Sequence, residues 1–273
     1  MKKPEIAIVM PVYKNEFFEE AFQSVINQTD SNFHVYIGND GGDRKIEKIL
    51  HSFGELQNVT YRYFDENLGR TSLTAHWNRC LDMVGEENWV WLFSDDDVMD
   101  EDCIENFRKT QATNPDISLF RFNSIKFTND ILLRENTFPP KLSLSEFLPI
   151  KFNYLQESYA IEYIFHKSLL KEIGAFPDFP LGWCADDLFW IQCMKYSDIV
   201  TIPDSLVYWR YSDLNISGKR NTTETAIQKM NACILFTEEL YRIGIFNDND
   251  NLKRDFYNWL TDQFSYLRKS LSK

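Results

Sequence analysis

Three adjacent carboxylates, Asp95, Asp96 and Asp97, stand directly after the apolar run Trp89-Val90-Trp91-Leu92-Phe93-Ser94, and a second acidic pair, Asp186-Asp187, precedes Leu188-Phe189-Trp190. Hard carboxylate oxygens suit Mg2+ or Mn2+, and Mg2+ is commonly held by one or two carboxylates with substrate phosphates completing the shell. A buried parallel strand reads as a continuous hydrophobic run, and in open α/β sheets ligands gather beyond the carboxyl ends of such strands. The first run therefore predicts a strand that delivers a metal site at its end. Asp100, Glu101 and Asp102 read differently, with Asp100 as the N-cap of a helix over 102–113 and acids in its first turn, where they favour the positive end of the dipole. An EF-hand does not fit, because the sixth position from Asp95 is Asp100 rather than Gly and the twelfth is Asn106 rather than Glu. Taken alone, Asp186 and Asp187 read as the N-terminal cap of a helix over 188–196.

The elements that must position these acids alternate. Ile6 to Met10 reads as a strand ended by Pro11, followed by a helix over 17–27; Phe33 to Gly38 leads through Asn39-Asp40-Gly41-Gly42-Asp43 to a helix bearing Ile46, Ile49, Leu50 and Phe53. Val59 to Phe64 leads through Asn67-Leu68-Gly69 to a helix over 72–83, and the run into Asp95 is the fourth strand. Such alternation predicts a parallel sheet with right-handed crossovers, a three-layer α/β half over residues 1–115 whose ligand-facing loops share one edge. Residues 116–220 read as an α+β half of the same domain, with strands at 117–122, 159–165 and 206–211. Residues 221–273 read as a C-terminal helical appendage. There Leu252, Phe256, Trp259, Leu260, Phe264, Leu267 and Leu271 form an apolar stripe flanked by Lys253, Arg254, Arg268, Lys269 and Lys273, a pattern that suits core packing and also permits peripheral membrane contact.

Composition narrows the class. The 273 residues are 44% hydrophobic and 26% charged, an ordinary globular balance, and 29 basic against 41 acidic side chains give a net charge of −12, which argues against nucleic acid as a partner. Five widely spaced cysteines without a C-x-x-C pair suggest neither a disulfide framework nor zinc, and point to a reducing cytoplasm. No export signal and no apolar run long enough to span a membrane is visible.

After the first strand, Met10 to Glu16 contains no glycine, so neither a dinucleotide fingerprint nor a P-loop is present. What the strand ends offer instead is Pro11 with Tyr13 as a surface for a base, and Asp40 as an acceptor for a pyrimidine imino group or a ribose hydroxyl. The segments Ile8-Val9-Met10-Pro11-Val12-Tyr13-Lys14-Asn15, Gly38-Asn39-Asp40-Gly41-Gly42-Asp43, Asn67-Leu68-Gly69 and Leu92-Phe93-Ser94-Asp95-Asp96-Asp97 resemble, in order and spacing, the inverting family 2 glycosyltransferases of GT-A fold, over residues 5–217. The resemblance implies a three-layer α/β/α architecture with a mostly parallel sheet. It marks Asp40 and Asp95 as nucleotide contacts and Asp96, with Asp97 beside it, as the Mg2+ or Mn2+ ligand of a D-x-D motif. Leu181-Gly182-Trp183-Cys184-Ala185-Asp186-Asp187 resembles the family's base element, with Asp187 as the base. Such a carboxylate takes the proton of an acceptor hydroxyl as it attacks the anomeric carbon, while the metal stabilises the leaving diphosphate.

Three positions depart from the pattern: Asn39 stands for an acid, Asp186 for the common Glu, and Ser212 for a His in Tyr208-Trp209-Arg210-Tyr211-Ser212. Arg210 and Arg70 are candidates for phosphate and nucleotide, Trp183 for stacking on an acceptor sugar, and Trp190 for the core. The implied activity is inverting transfer of a hexosyl or N-acetylhexosaminyl group from a nucleotide sugar, a UDP-sugar first, to a glycan or lipid-linked acceptor in surface polysaccharide or envelope glycan synthesis. A nucleotidyltransferase is the alternative enzyme, which should carry a Gly-rich basic loop after the first strand; a catalytically silent nucleotide- or carbohydrate-binding module is the alternative without catalysis.

Overall fold

The computed structural model describes residues 5–129, 131–247 and 249–271. β1 (Ile6–Val12), α1 (Phe18–Ile26), β2 (Phe33–Asn39), α2 (Lys45–Ser52), β3 (Val59–Tyr63), α3 (Leu73–Leu81) and β4 (Trp89–Leu92) follow the alternation read from the sequence. Then come β5 (Val98–Met99), α4 (Cys103–Thr113), β6 (Leu119–Thr128), β7 (Ile131–Asn136), β8 (Lys141–Leu142), α5 (Leu144–Phe152) and β9 (Tyr163–His166). The chain continues through α6 (Leu169–Ile173), α7 (Ala185–Cys193), β10 (Ile199–Arg210), α8 (Thr223–Arg242) and α9 (Asp250–Arg268). One sheet runs through both halves in the order β3-β2-β1-β4-β9-β6-β10-β5, with β7 added to β6 and β8 to β10. β3, β2, β1 and β4 are mutually parallel, as are β6 and β10, whereas β9 runs against both β4 and β6.

The sheet is buried on both faces, which is why its central strands are apolar throughout. Along β1, Ile6, Ile8, Met10 and Val12 point to the layer of α1, α2 and α4, while Ala7 and Val9 point to that of α3, α5, α7, α8 and α9. β4 divides likewise, with Trp89 and Trp91 on the first face and Val90 and Leu92 on the second. Burying each such large side chain contributes about 1.5–3 kcal/mol. The three-layer α/β expectation is met.

Several local expectations change. Pro11 does not end β1; it pairs with Gly38 of β2, and β4 has already left β1 at Val9, so the missing N–H faces no ladder. Asp100 is not an N-cap: its carboxylate accepts the Leu206 N–H at 2.8 Å and the Tyr208 hydroxyl at 3.0 Å, tying the β5 segment to β10. The strand expected at 159–165 begins only at Tyr163, and β7 was not foreseen. The α9 stripe is turned inward, with Leu252, Phe256, Trp259 and Leu267 buried and Phe256 and Trp259 packed on Phe152 of α5 and Phe236 of α8. Its apolar face is therefore core; Lys273 lies outside the described residues. All five cysteines are free and buried.

Candidate active site

The carboxyl ends of β1, β2 and β4 meet at one edge, as a parallel sheet requires. Asp95 accepts the backbone N–H groups of Tyr13 at 3.2 Å and Lys14 at 3.4 Å, so the acidic segment after β4 is fastened to the loop after β1. Asp96 accepts the Ser94 hydroxyl at 2.6 Å, and the buried Asp97 accepts the Arg210 N–H at 2.7 Å. Arg210 binds the same segment with its side chain: Nε donates to the Asp96 carbonyl at 2.7 Å and Nη2 to Glu20 at 2.6 Å, with the guanidinium over Phe17 and Phe127. Arg210 thus lies at the acids, but its charge is committed to Glu20. Pro11 and Tyr13 flank the edge, Tyr13 being 49% exposed, as a stacking surface would need.

Burial first, then repulsion from Asp96, pushes Asp95 up to about 7 and Asp97 well above the usual carboxylate range, and burial raises Asp96 as well. Desolvation is the main cause at all three acids, and the charges of Lys14 and Arg210 offset it only in part. Hard oxygens in this state fit a divalent cation. Among the described residues no three metal-binding side chains converge, so the chain would supply one or two carboxylates, Asp96 and Asp97, with substrate oxygens and water completing the shell.

Asp40 sits deeper. Its carboxylate accepts the N–H groups of Leu68 at 2.9 Å and Gly69 at 2.7 Å, pairs with Arg79, and lies 3.5 Å from His76 Nδ1. Burial raises its pKa although the two N–H groups and Arg79 oppose this, and burial with Arg79 holds His76 neutral, pushed down to about 4. In this state Asp40 anchors the Asn67-Leu68-Gly69 turn. Gly69 is required there, since a Cβ would stand 2.6 Å from Asp40 Oδ2; at Gly42 a Cβ would meet the Tyr13 carbonyl at 2.1 Å. Asn39 has a reason to be an amide: its Oδ1 accepts the Gly42 N–H at 2.8 Å while its Nδ2 donates to Tyr61 at 3.1 Å. The sequence alone reads His76 as packing on the third helix and gives Arg79 no role, although their spacing of three on one helix face was a usable signal. Arg70 is exposed; its backbone N–H caps onto Asn67, and its side chain is not brought to the acids.

The second acidic pair follows a strained turn. Leu181 and Cys184 have φ of 59° and 62°, which costs roughly 1–2 kcal/mol per non-glycine residue. Cys184, not an aspartate, is the N-cap of α7, and its side chain makes no capping bond. Asp187 instead forms an ion pair with Lys151 of α5, both side chains being largely buried. Burial works against the Lys151 cation, yet Asp187 and its acidic neighbours hold its pKa above the usual value; burial and the Asp187 charge push Asp186 up to about 7. The loop is tied to the first half: Asp178 accepts the Ser72 hydroxyl at 2.5 Å, and Gly182 lies against Leu73 at the start of α3. Trp183 is half-buried with the Lys229 ammonium 4.2 Å from its ring centre, and Trp190 is wholly buried as expected. No sequence signal paired Lys151 with Asp187.

Comparison with known proteins identifies the family to which this fold and site belong. The family model described as Glycosyl transferase family 2 matches residues 7–172, and the chain belongs to that family. It is 25% identical over 238 residues to an uncharacterized glycosyltransferase of Rickettsia typhi, covering 83% of this chain and 68% of that protein. It is 26% identical over 116 residues to the glucosyl-dolichyl phosphate glucuronosyltransferase of Haloferax volcanii, covering 42% of this chain and only 36% of that protein. In structure it is similar to S. aureus TarS 1-349 in complex with UDP, at a TM-score of 0.68 and 15% identity over 97% of this chain and 73% of that one. The mannosyltransferase PcManGT from Pyrobaculum calidifontis, in complex with GDP-Man and Mn2+, matches at 0.65 and 14% identity over 99% and 74%. The fold is GT-A, a mixed α/β architecture with a mostly parallel sheet. No helix among the described residues is long and apolar enough to cross a membrane.

Proposed function

We propose that the chain transfers a hexosyl or N-acetylhexosaminyl group from a nucleoside diphosphate sugar to a hydroxyl of a glycan or lipid-linked acceptor, with inversion. The observation that carries this reading is the placement of two separate acidic sets: Asp95 to Asp97 beyond β4, and Asp186-Asp187 in the first turn of α7, after a loop tied to Ser72 and α3. The first set, with Pro11 and Tyr13, receives the nucleotide, and Asp40 acts through the Asn67-Leu68-Gly69 turn that it anchors. UDP is the first donor to test, since relatives of this fold carry UDP, UDP-GlcNAc or GDP-Man. A bound Mg2+ or Mn2+ supplies positive charge to the leaving diphosphate, with Asp96 and Asp97 holding it. Asp187 accepts the proton of the attacking hydroxyl, and Trp183 bounds the acceptor side. Envelope glycan or surface polysaccharide synthesis is the setting that such an acceptor implies.

Asp96→Ala is expected to weaken UDP binding in the presence of Mn2+ by about tenfold or more, the loss of one charge-assisted contact, and to leave binding in EDTA much less affected. Calorimetry of both proteins with and without Mn2+ measures this. Equal affinities in Mn2+ would remove Asp96 from the metal site.

A further inference from the structure

Lys14 has its backbone and side chain engaged with two different segments at the acidic edge. Its N–H donates to Asp95 at 3.4 Å, while its Nζ donates to the Leu214 carbonyl at 2.5 Å. Lys14, Glu16, Phe17, Asp95, Asp96 and Leu214 line a narrow cleft of about 10 Å³, room for a single water. Three of those side chains are carboxylates and Lys14 is the one base among them. The neighbouring cation, Arg210, is already bound to Glu20 and to the Asp96 carbonyl. Lys14 makes no ion pair among the described residues, although its charge lowers the pKa of both Asp95 and Asp96. A compact, strongly hydrated ammonium on a flexible stem, held only by a main-chain carbonyl, is poised to exchange that carbonyl for a richer acceptor. Phosphate oxygens are such an acceptor, because a bond between two charged groups is roughly twice as strong as a neutral one.

The geometry points to Lys14 as a diphosphate-binding residue of the donor site, one that trades the Leu214 carbonyl for phosphoryl oxygens and thereby releases Leu214 from the cleft mouth. The assignment rests on the nucleoside diphosphate sugar reading above. It also bears on how so small a cleft admits a donor: Lys229 on the Ile216 carbonyl at 2.9 Å, Asn215 Nδ2 on the Arg210 carbonyl at 2.5 Å and the Leu214 N–H on Ser212 Oγ at 3.3 Å keep the segment fastened, so only the Leu214 carbonyl and side chain turn from the cleft. Lys14 contacts the leaving group in this account, supplying charge that the committed Arg210 does not.

The test is calorimetric titration of the whole chain, and of Lys14→Gln, Lys14→Met and Lys14→Arg, with UDP and UMP, then GDP and GMP, in Mn2+ and in EDTA. Lys14→Gln and Lys14→Met should weaken diphosphate binding about 10- to 100-fold, the range for losing a hydrogen bond to a charged group. They should weaken monophosphate binding far less, so that the ratio of the two affinities falls, and Lys14→Arg should restore most of it. Retained monophosphate binding and an unchanged melting temperature show that the variants are folded. If Lys14 merely pins the segment shut, removing it opens the cleft and diphosphate binding stays equal or tightens; that result overturns the inference while leaving the donor reading intact. A wild-type chain that binds neither diphosphate overturns both.

Discussion

Asp187→Asn is expected to lower sugar transfer by roughly 100- to 10,000-fold, the range for loss of a general base, with nucleotide binding unchanged. The side chain sits in the first turn of α7 and meets Lys151 from α5, so substitution by a neutral isostere changes charge more than shape. Asparagine cannot take the proton of an acceptor hydroxyl, and it leaves the largely buried Lys151 without its charge partner. Asp186→Asn is the control. Because burial and the adjacent Asp187 raise Asp186 to about 7, it takes up a proton as the pH falls through neutrality, and its amide variant resembles that protonated form. The sign follows: below about pH 7 a protonated Asp186 no longer repels the Asp187 charge, so Asp186→Asn should keep most of the activity and flatten the pH profile near neutrality. Release of nucleoside diphosphate with a panel of glycan and lipid-linked acceptors measures both variants. Full activity in Asp187→Asn would remove it from the chemistry, and a larger loss in Asp186→Asn would exchange the two roles.

The contrast between these acids and their partners shows what a sequence can express. β4 was legible because a strand buried on both faces must be continuously apolar, and acids immediately after it can only lie at the sheet edge. The alternation of strand and helix carried the first four strands for the same reason. Asp100 was misread because an acid near a helix start and an acid bonded to a strand distant in sequence, here β10, look alike until that strand is placed. β7 was not foreseen because Ile131, Leu132 and Leu133 are 62%, 67% and 47% exposed, so no burial period marks the strand. The Lys151–Asp187 pair is a tertiary fact, created when α5, braced by α9, is laid beside α7; nothing local in either segment encodes it. The left-handed Cys184 is equally silent, since the residue type does not ask for that conformation.

Glu162→Gln should destabilise the protein by about 3–5 kcal/mol, the effect of breaking one side of a buried ion pair, even though Glu162 touches neither acidic set. Glu162 and Arg121 are wholly buried and ion-paired, and Glu162 also accepts the Ser124 hydroxyl at 2.6 Å. The Arg121 guanidinium lies 3.2 Å from the centre of the Phe138 ring, and its Nε and Nη1 have no hydrogen-bond partner among the described residues, so Glu162 is its counter-charge. Burial raises the Glu162 pKa despite Arg121, a sign that desolvation outweighs the attraction. For a chain of this length the loss corresponds to a melting temperature lower by on the order of 10 °C. Replacing both charges, as in Arg121→Met with Glu162→Leu, should be less damaging than Glu162→Gln alone, because no lone charge is then left in the core. The pair also bears on catalysis through packing: Tyr163, next to Glu162, stacks on Trp190 at 4.3 Å, and Trp190 lies on α7, the helix that carries Asp187. Loosening β9 should therefore reduce turnover more than nucleotide affinity: β4 also pairs with β9, but Asp95 and Asp97 have further ties of their own, to the loop after β1 and to β10. Thermal melts of the single and double variants, with UDP titrations of each, separate the two effects; a double variant no more stable than Glu162→Gln would show that the charges themselves do not set the energy of this core.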